Sequence, residues 1–266
     1  MTVWLNGRLL PTDAAWIDPA DRGFTLGDGL FETIRVTGGR ARHLDRHLAR
    51  LQASAAVLDL PVPYRDDALA NAVAALIAAR GVAEGVARLT LTRGIGARGV
   101  LPPADPQPTV LITLTPAGPP AGPVEAVIAQ GTRRNEHSPL SRLKTLNYLD
   151  AILARREAAR RGAGEALLLN TAGRLAEASV ATLFIVRDGR LADPVRVGGG
   201  AARHPSRPDP GASRGGGAPH HPGRAFGRRG GLSVQQPWPS PASGRRRPPH
   251  RDRVARPRDH RAGERS

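Results

Sequence analysis

Lys144 is the only lysine in a chain of 266 residues; the other 38 of its 39 strong bases are arginines. A lysine amine can form an imine with the aldehyde of a carbonyl cofactor and then carry a proton to and from the adjoining carbon. No other side chain supplies both steps, so Lys144 is the one candidate if the chain performs such chemistry. Scarcity also fits a plainer account, in which a GC-rich gene uses arginine for nearly every cation and leaves one incidental lysine. A second pattern, Gly94-Ile95-Gly96-Ala97-Arg98-Gly99, has the glycine spacing of a dinucleotide-binding loop. It opens into Val100-Leu101-Pro102-Pro103 rather than a helix, so the helix N-terminus that would hold a pyrophosphate is missing. A loop following a strand is the better reading. Cysteine is absent, which removes disulfides and cysteine-based metal sites, and no metal centre is expected.

These residues need a frame, and the first 194 residues have the patterning of one. Val3–Asn6 and Arg8–Leu10 flank Asn6-Gly7, a hairpin dipeptide. Leu30–Val36 reads as a strand closed by Thr37-Gly38-Gly39. Leu44, Leu48, Leu51, Ala55 and Leu58 recur at helical spacing, and Asp66–Arg80 is a second, alanine-rich helix. Ala87–Thr92 and Thr109–Thr115 alternate like strands, and Pro116–Pro123 reads as a link between two subdomains. Beyond it the pattern predicts a strand over Val124–Gln130, a helix over Asn147–Arg161, and strands over Glu165–Asn170, Arg174–Glu177 and Thr182–Val186. The class is α+β.

Charge divides the chain at about Pro194. Residues 1–194 hold 23 Lys+Arg against 19 Asp+Glu, whereas residues 195–266 hold 16 against 4. Pro, Gly and Arg supply 40 of those last 72 residues, and Leu232 is their only Leu or Ile. Such a composition buries too little apolar area to offset chain entropy, so disorder is expected over 194–266. Met1 is followed by no basic and apolar leader, and no apolar run approaches the roughly 20 residues of a membrane span. A soluble, cytoplasmic protein is the expectation.

Three separated blocks carry a resemblance. The first runs Asp21-Arg22-Gly-Phe-Thr-Leu-Gly27-Asp28-Gly29-Leu-Phe31-Glu32-Thr33 and continues as His43-Leu-Asp-Arg-His47-Leu-Ala-Arg50-Leu. The second is Ser138-Pro-Leu-Ser-Arg-Leu-Lys144-Thr-Leu-Asn-Tyr148-Leu, and the third joins Gly164-Glu165 to Leu175-Ala-Glu177-Ala-Ser-Val-Ala-Thr-Leu-Phe184. In this order and spacing, residues 3 to about 192 resemble the class-IV aminotransferases, the family of branched-chain aminotransferases, D-amino-acid aminotransferases and aminodeoxychorismate lyases.

The resemblance implies a two-subdomain, fold-type IV enzyme that binds pyridoxal 5'-phosphate and forms a homodimer. One subdomain would span residues 1–117; residues 122–193 would form the first part of a second, cofactor-binding one. It also implies roles. Lys144 would be the Schiff-base lysine and proton shuttle, and Glu177 would pair with the pyridinium nitrogen. Arg50 would contact the cofactor phosphate; Tyr148 would reach the O3' side, or serve as a core tyrosine. Phe31 and Arg98 would border the substrate, with Arg98 a candidate carboxylate contact. D-amino-acid aminotransferases carry Tyr where this chain has Phe31 and His where it has Val100. Branched-chain enzymes usually continue Phe-Glu-Gly, and Phe31-Glu32-Thr33 looks more like the lyases and their transaminase relatives. The implied reaction is amino transfer between an amino acid, most simply a branched-chain L-amino acid, and a 2-oxo acid, with 4-amino-4-deoxychorismate cleavage as the alternative.

Family members continue past residue 194 with a phosphate-binding turn and a segment like Glu-Val-Phe-Leu-Thr-Asn-Ser-Leu. Residues 228–240 of this chain, read one base out of frame, permit Ala-Glu-Glu-Ala-Phe-Leu-Ser-Asn-Ser-Leu-Gly-Leu-Arg. A one-base slip near residues 192–200 would therefore account for the tail and leave the architecture incomplete at its C-terminus, weakening cofactor binding. The other reading is a basic nucleic-acid-binding tail, which has only Phe226 and Trp238 for base stacking.

Overall fold

The computed structural model describes residues 1–119, 122–187, 190–192 and 230–235. Strands β1 (Thr2–Leu5) and β2 (Arg8–Pro11) form the hairpin expected from Asn6-Gly7, both of which take positive φ. Strands β3 (Gly29–Thr37), β4 (Arg40–Ala41), β5 (Gly85–Thr92) and β6 (Thr109–Pro116) complete a six-stranded sheet in the order β2-β1-β6-β5-β3-β4. Every pairing in it is antiparallel.

Helices α2 (Leu44–Val57) and α3 (Asp66–Arg80) cover one face of this sheet. Leu48, Leu51 and Ala55 from α2 and Leu69, Val73, Leu76 and Ile77 from α3 meet Leu30, Ile34, Val36, Leu89, Leu91 and Ile112. The spacing visible in the sequence is therefore the spacing that builds the core. Gly81 ends α3 in the left-handed conformation, which a residue without Cβ adopts at no steric cost.

A short helix, α1 (Arg22–Leu26), stands outside the sequence expectations. It has no apolar period; Asp21 caps it by accepting the Gly23 N–H, and Gly27 ends it at φ 69°. Arg22 is only 3% exposed, and it donates to Asp28 and to the carbonyls of Gly99 and Val100. The glycine-rich loop is thus pinned by an arginine and binds no phosphate through a helix N-terminus.

The second subdomain begins with β7 (Ala126–Ile128), shorter than expected, and helix α4 (Leu149–Arg160). Strand β8 (Glu165–Leu169) runs parallel to β7, and β9 (Leu175–Ala178) pairs antiparallel with β8. Ala154 and Ala158 of α4 seat on Ala129, Ala166 and Leu168, a core of small side chains that lets helix and sheet approach closely. Strands β10 (Thr182–Arg187) and β11 (Arg190–Ala192) form an antiparallel pair. A correction applies to the basic tail: within it, Gly230–Gln235 is strand β12, paired antiparallel with β10 from Thr182↔Gln235 to Arg187↔Gly230. Overall composition hid this, because Leu232 and Val234 alternate locally and an open edge on β10 offers unpaired N–H and C=O groups. The rest of 194–266 lies outside the described residues.

Candidate active site

Lys144 sits where the two subdomains meet. It lies in an extended segment between a short 3-10 helix at Pro139–Arg142 and α4. That segment pairs with the start of β3: Phe31 N–H donates to the Lys144 carbonyl at 2.9 Å, and Leu146 N–H to the Gly29 carbonyl at 3.1 Å. The pairing requires Gly29, since a Cβ there would lie 2.5 Å from the Leu91 carbonyl oxygen and 2.8 Å from the Leu146 side chain. The lysine backbone is therefore fixed by the N-terminal sheet, and the sequence that follows it enters α4.

Phe31, 5% exposed, gathers the neighbouring groups. The Lys144 Nζ lies 4.1 Å from its ring centroid, and the Arg88 guanidinium carbon 3.7 Å from the same centroid. Tyr148 meets the ring edge-on at 5.2 Å. Tyr148 also lines a cleft with Arg134, Thr145, Asn147, Glu177 and Ser179, enclosing about 470 Å³ that is partly open solvent. Phe31, the stretch that holds Lys144 and Tyr148, and Glu177 are separated in the chain and are brought to one region. The Glu177 carboxylate, 16% exposed, pairs with Arg134 Nε at 3.1 Å.

Arg50 is placed differently from the simple expectation of a free anion-binding fork. Its Nε donates to Glu32 Oε1 at 2.7 Å and one terminal nitrogen to Oε2 at 2.5 Å. Glu32 is 1% exposed, and His47 Nδ1 shares its Oε2 at 2.8 Å. Burial alone would raise the Glu32 pKa; the Arg50 and His47 hydrogen bonds and charges outweigh it and hold the carboxyl below its ordinary range. Arg50 is held charged chiefly by the same Glu32 bond. One terminal nitrogen of Arg50 remains for another anion. Arg98 lies exposed on the loop that Arg22 pins, and no described contact joins it to Lys144.

Glu32, His47, Arg88 and Arg134 were not assigned roles from the sequence. Glu32 and His47 lie inside quoted motif blocks, and a carboxylate on the core side of β3 was a signal that it needed a buried cation. Nothing local marks Arg88 or Arg134, whose neighbours come from other elements.

The sequence profile described as amino-transferase class IV matches residues 29–200. The chain belongs to the class-IV aminotransferases. A putative branched-chain-amino-acid aminotransferase of Methanocaldococcus jannaschii is 31% identical over 196 residues, covering 73% of this chain and 68% of that one. A D-alanine aminotransferase of Listeria innocua is 32% identical over 209 residues, covering 72% and 67%. The crystal structure of 4-amino-4-deoxychorismate lyase from Pseudomonas aeruginosa is 38% identical with a TM-score of 0.60, covering 71% of this chain and 68% of that chain.

Class-IV aminotransferases work with pyridoxal phosphate, and the architecture here is fold-type IV. The residues present fit that cofactor. A phenol and a half-buried carboxylate line a cleft, Leu143 and Thr145 on either side of the one lysine line it too, and Arg50 adds a cation near Tyr148. No helix among the described residues is long and apolar enough to cross a membrane.

Proposed function

We propose that this class-IV aminotransferase transfers an amino group between a branched-chain-type L-amino acid and a 2-oxo acid, with Lys144 as the residue that binds the cofactor covalently. The observation that carries the reading is the seating of the sole lysine on β3 and beside Phe31, between Leu143 and Thr145, which line the cleft together with Tyr148 and Glu177. When bound, the cofactor supplies an electron-withdrawing ring that makes the α-proton of an amino acid removable. Lys144 would take that proton from the α-carbon of the amino donor and, in the return half of the exchange, deliver one to the α-carbon formed from the 2-oxo acid. Glu177 keeps the ring nitrogen protonated, and Arg134 orients the carboxylate for that task. Tyr148 would donate its O–H to an oxygen of the cofactor, Arg50 would offer its remaining nitrogen to the phosphate, and Phe31 and Arg98 would border the substrate.

The 38% identity to a 4-amino-4-deoxychorismate lyase, with Phe31-Glu32-Thr33, favours lyase activity as the second reading. A cytoplasmic homodimer is part of the proposal. Phe24, Leu26, Ile95, Val100 and Leu101 are exposed apolar side chains around the pinned loop, the kind of surface a second copy would cover. The proposed organisation is a subdomain over 1–117, a cofactor-binding one over 122–193, and a tail from 194 produced by a one-base slip.

The test adds pyridoxal phosphate to the purified chain, traps it with borohydride and maps the modified residue by mass spectrometry. Label at Lys144 is expected; label elsewhere or none overturns the assignment. A panel of L-leucine, D-alanine and aminodeoxychorismate then separates the reactions, and turnover of L-leucine with a 2-oxo acid is the expected result. Sole release of 4-aminobenzoate would replace the transaminase reading with the lyase.

A further inference from the structure

Glu32 is a carboxylate on the core face of the six-stranded sheet. Side chains alternate along β3, so Glu32 shares this face with Leu30 and Ile34, and it sits opposite the buried Leu89 of β5. Replacing a buried ion pair by apolar residues of similar volume is often neutral or stabilising. Packing of α2 on the sheet therefore does not by itself call for a charge here.

What the carboxylate does is fix Arg50. Arg50 Nε and one terminal nitrogen, Nη2, donate to Glu32 at 2.7 and 2.5 Å, so one whole edge of the guanidinium is taken. His47, one turn earlier on α2, brings Nδ1 to 2.8 Å from Oε2. A carboxylate held ionised only accepts, so Nδ1 carries the hydrogen and stops the carboxylate from turning about its last bond. The opposite edge of Arg50, Nη1 with the outer hydrogen of Nη2, forms a second fork. Among the described residues Nη1 makes no hydrogen bond. Arg50 is half-exposed and feels the charge of Tyr148, which lines the cleft. An unheld arginine at such a place would sample many rotamers and lose them on binding.

We infer that Glu32 is a positioning residue for the cofactor: by holding the Nε edge of Arg50 it aims the other edge at the 5'-phosphate, and so makes the site select phosphorylated pyridoxal over pyridoxal. The inference rests on the proposed function, in which Arg50 meets that phosphate. Glu32 acts through Arg50 and touches no phosphate, since two anions in contact repel. Arg50 is ordered before the cofactor arrives, so its rotamer freedom is not lost at the moment of binding. Pyridoxal, without the phosphate, gains nothing from the aimed edge. The effect therefore shows in the ratio of the two affinities.

The experiment uses the full chain and compares wild type, Glu32→Gln, Arg50→Met and the double variant. Equilibrium dialysis against pyridoxal 5'-phosphate and against pyridoxal gives two dissociation constants for each. Both ligands present the same aldehyde to Lys144, so the ratio isolates the phosphate. Borohydride trapping at Lys144, scored on the same samples, reports separately on the proposed function. Glu32→Gln replaces one acceptor oxygen by an N–H donor and is expected to lower the preference for the phosphorylated form roughly three- to tenfold, with pyridoxal unchanged. In the Arg50→Met background the same change should leave the preference where Arg50→Met alone puts it. A merely structural Glu32 would weaken both ligands alike. Glu32→Met, similar in volume and uncharged, repeats the measurement should Glu32→Gln fail to fold. An unchanged preference in the Glu32 variants, an equal loss for both ligands, or a further loss in the Arg50→Met background overturns the inference while trapping at Lys144 leaves the function standing. Failure to trap cofactor at Lys144 in wild type overturns both.

Discussion

Arg50 is asked to do two things, and its stability role can be isolated by measuring the chain without cofactor. Arg50→Met keeps the apolar stem and removes the fork that grips Glu32. Removing one partner of a fully buried ion pair costs about 3–5 kcal/mol, because the other charge is left without compensation. Here Glu32 is 1% exposed but Arg50 is 39% exposed, and His47 still donates to Oε2, so the expected loss is about 2 kcal/mol. In urea that lowers the unfolding midpoint by roughly 1 M. Glu32→Gln leaves only a half-exposed cation unpaired and should cost about 1 kcal/mol. The double variant should cost less than the sum, with a coupling of roughly 1–2 kcal/mol.

The pH dependence of this pair has a definite sign. In the wild type the Glu32 pKa is lowered, so its contribution is present above the ordinary carboxylate value and is lost as pH falls through the depressed one. Without Arg50, burial dominates and raises that pKa, so acid relieves the variant's penalty. The gap between Arg50→Met and wild type should therefore narrow from pH 7.5 to pH 5. A gap below about 0.5 kcal/mol at pH 7.5, or one that widens toward pH 5, would refute the reasoning and return Arg50 to a phosphate role alone.

Lys144→Ala should abolish cofactor trapping and turnover, since no other lysine exists; wild-type turnover in this variant would remove Lys144 from the proposal. Glu177→Gln should retain trapping but slow α-proton exchange into solvent, measured by NMR, because an amide cannot hold the ring nitrogen protonated; an unchanged exchange rate counts against that role. Gly94→Ala should destabilise by about 2–3 kcal/mol, as Gly94 has φ +80° and its Cβ would lie 1.7 Å from the Gln107 carbonyl oxygen; an unaltered urea midpoint would contradict this geometry. Resequencing the gene, with the intact protein mass, should reveal a one-base slip near residues 192–200; an intact frame matching the 266-residue mass sinks the slip.

Local pattern made much of the frame legible. Leu48, Leu51 and Ala55 were readable as core because helical period and burial coincide, and Asn6-Gly7 because a type I' turn needs positive φ. Lys144 stood out by elimination. The pairing of Glu32 with Arg50 was not legible, since it joins a strand to a helix and depends on how α2 sits on the sheet. Without that partner, Arg50 reads as wholly available to phosphate. Arg88 looks like any outward residue of an alternating strand until Phe31 and Lys144 are set beside it. Strand β12 was hidden by averaging: six residues with a period of two vanish inside a stretch dominated by Pro, Gly and Arg.

The two backbone bonds that join Gly29 and Phe31 to Leu146 and Lys144 make the reactive amine a property of a seam, owned by neither half alone. Co-expressed fragments separated between β6 and β7 would regain the lysine's setting only by restitching those bonds, so cofactor trapping would score reassembly. The same seam constrains shuffling among relatives. An N-terminal half can be exchanged freely on its helical side, but the Gly29–Phe31 stretch has to travel with the lysine segment it holds.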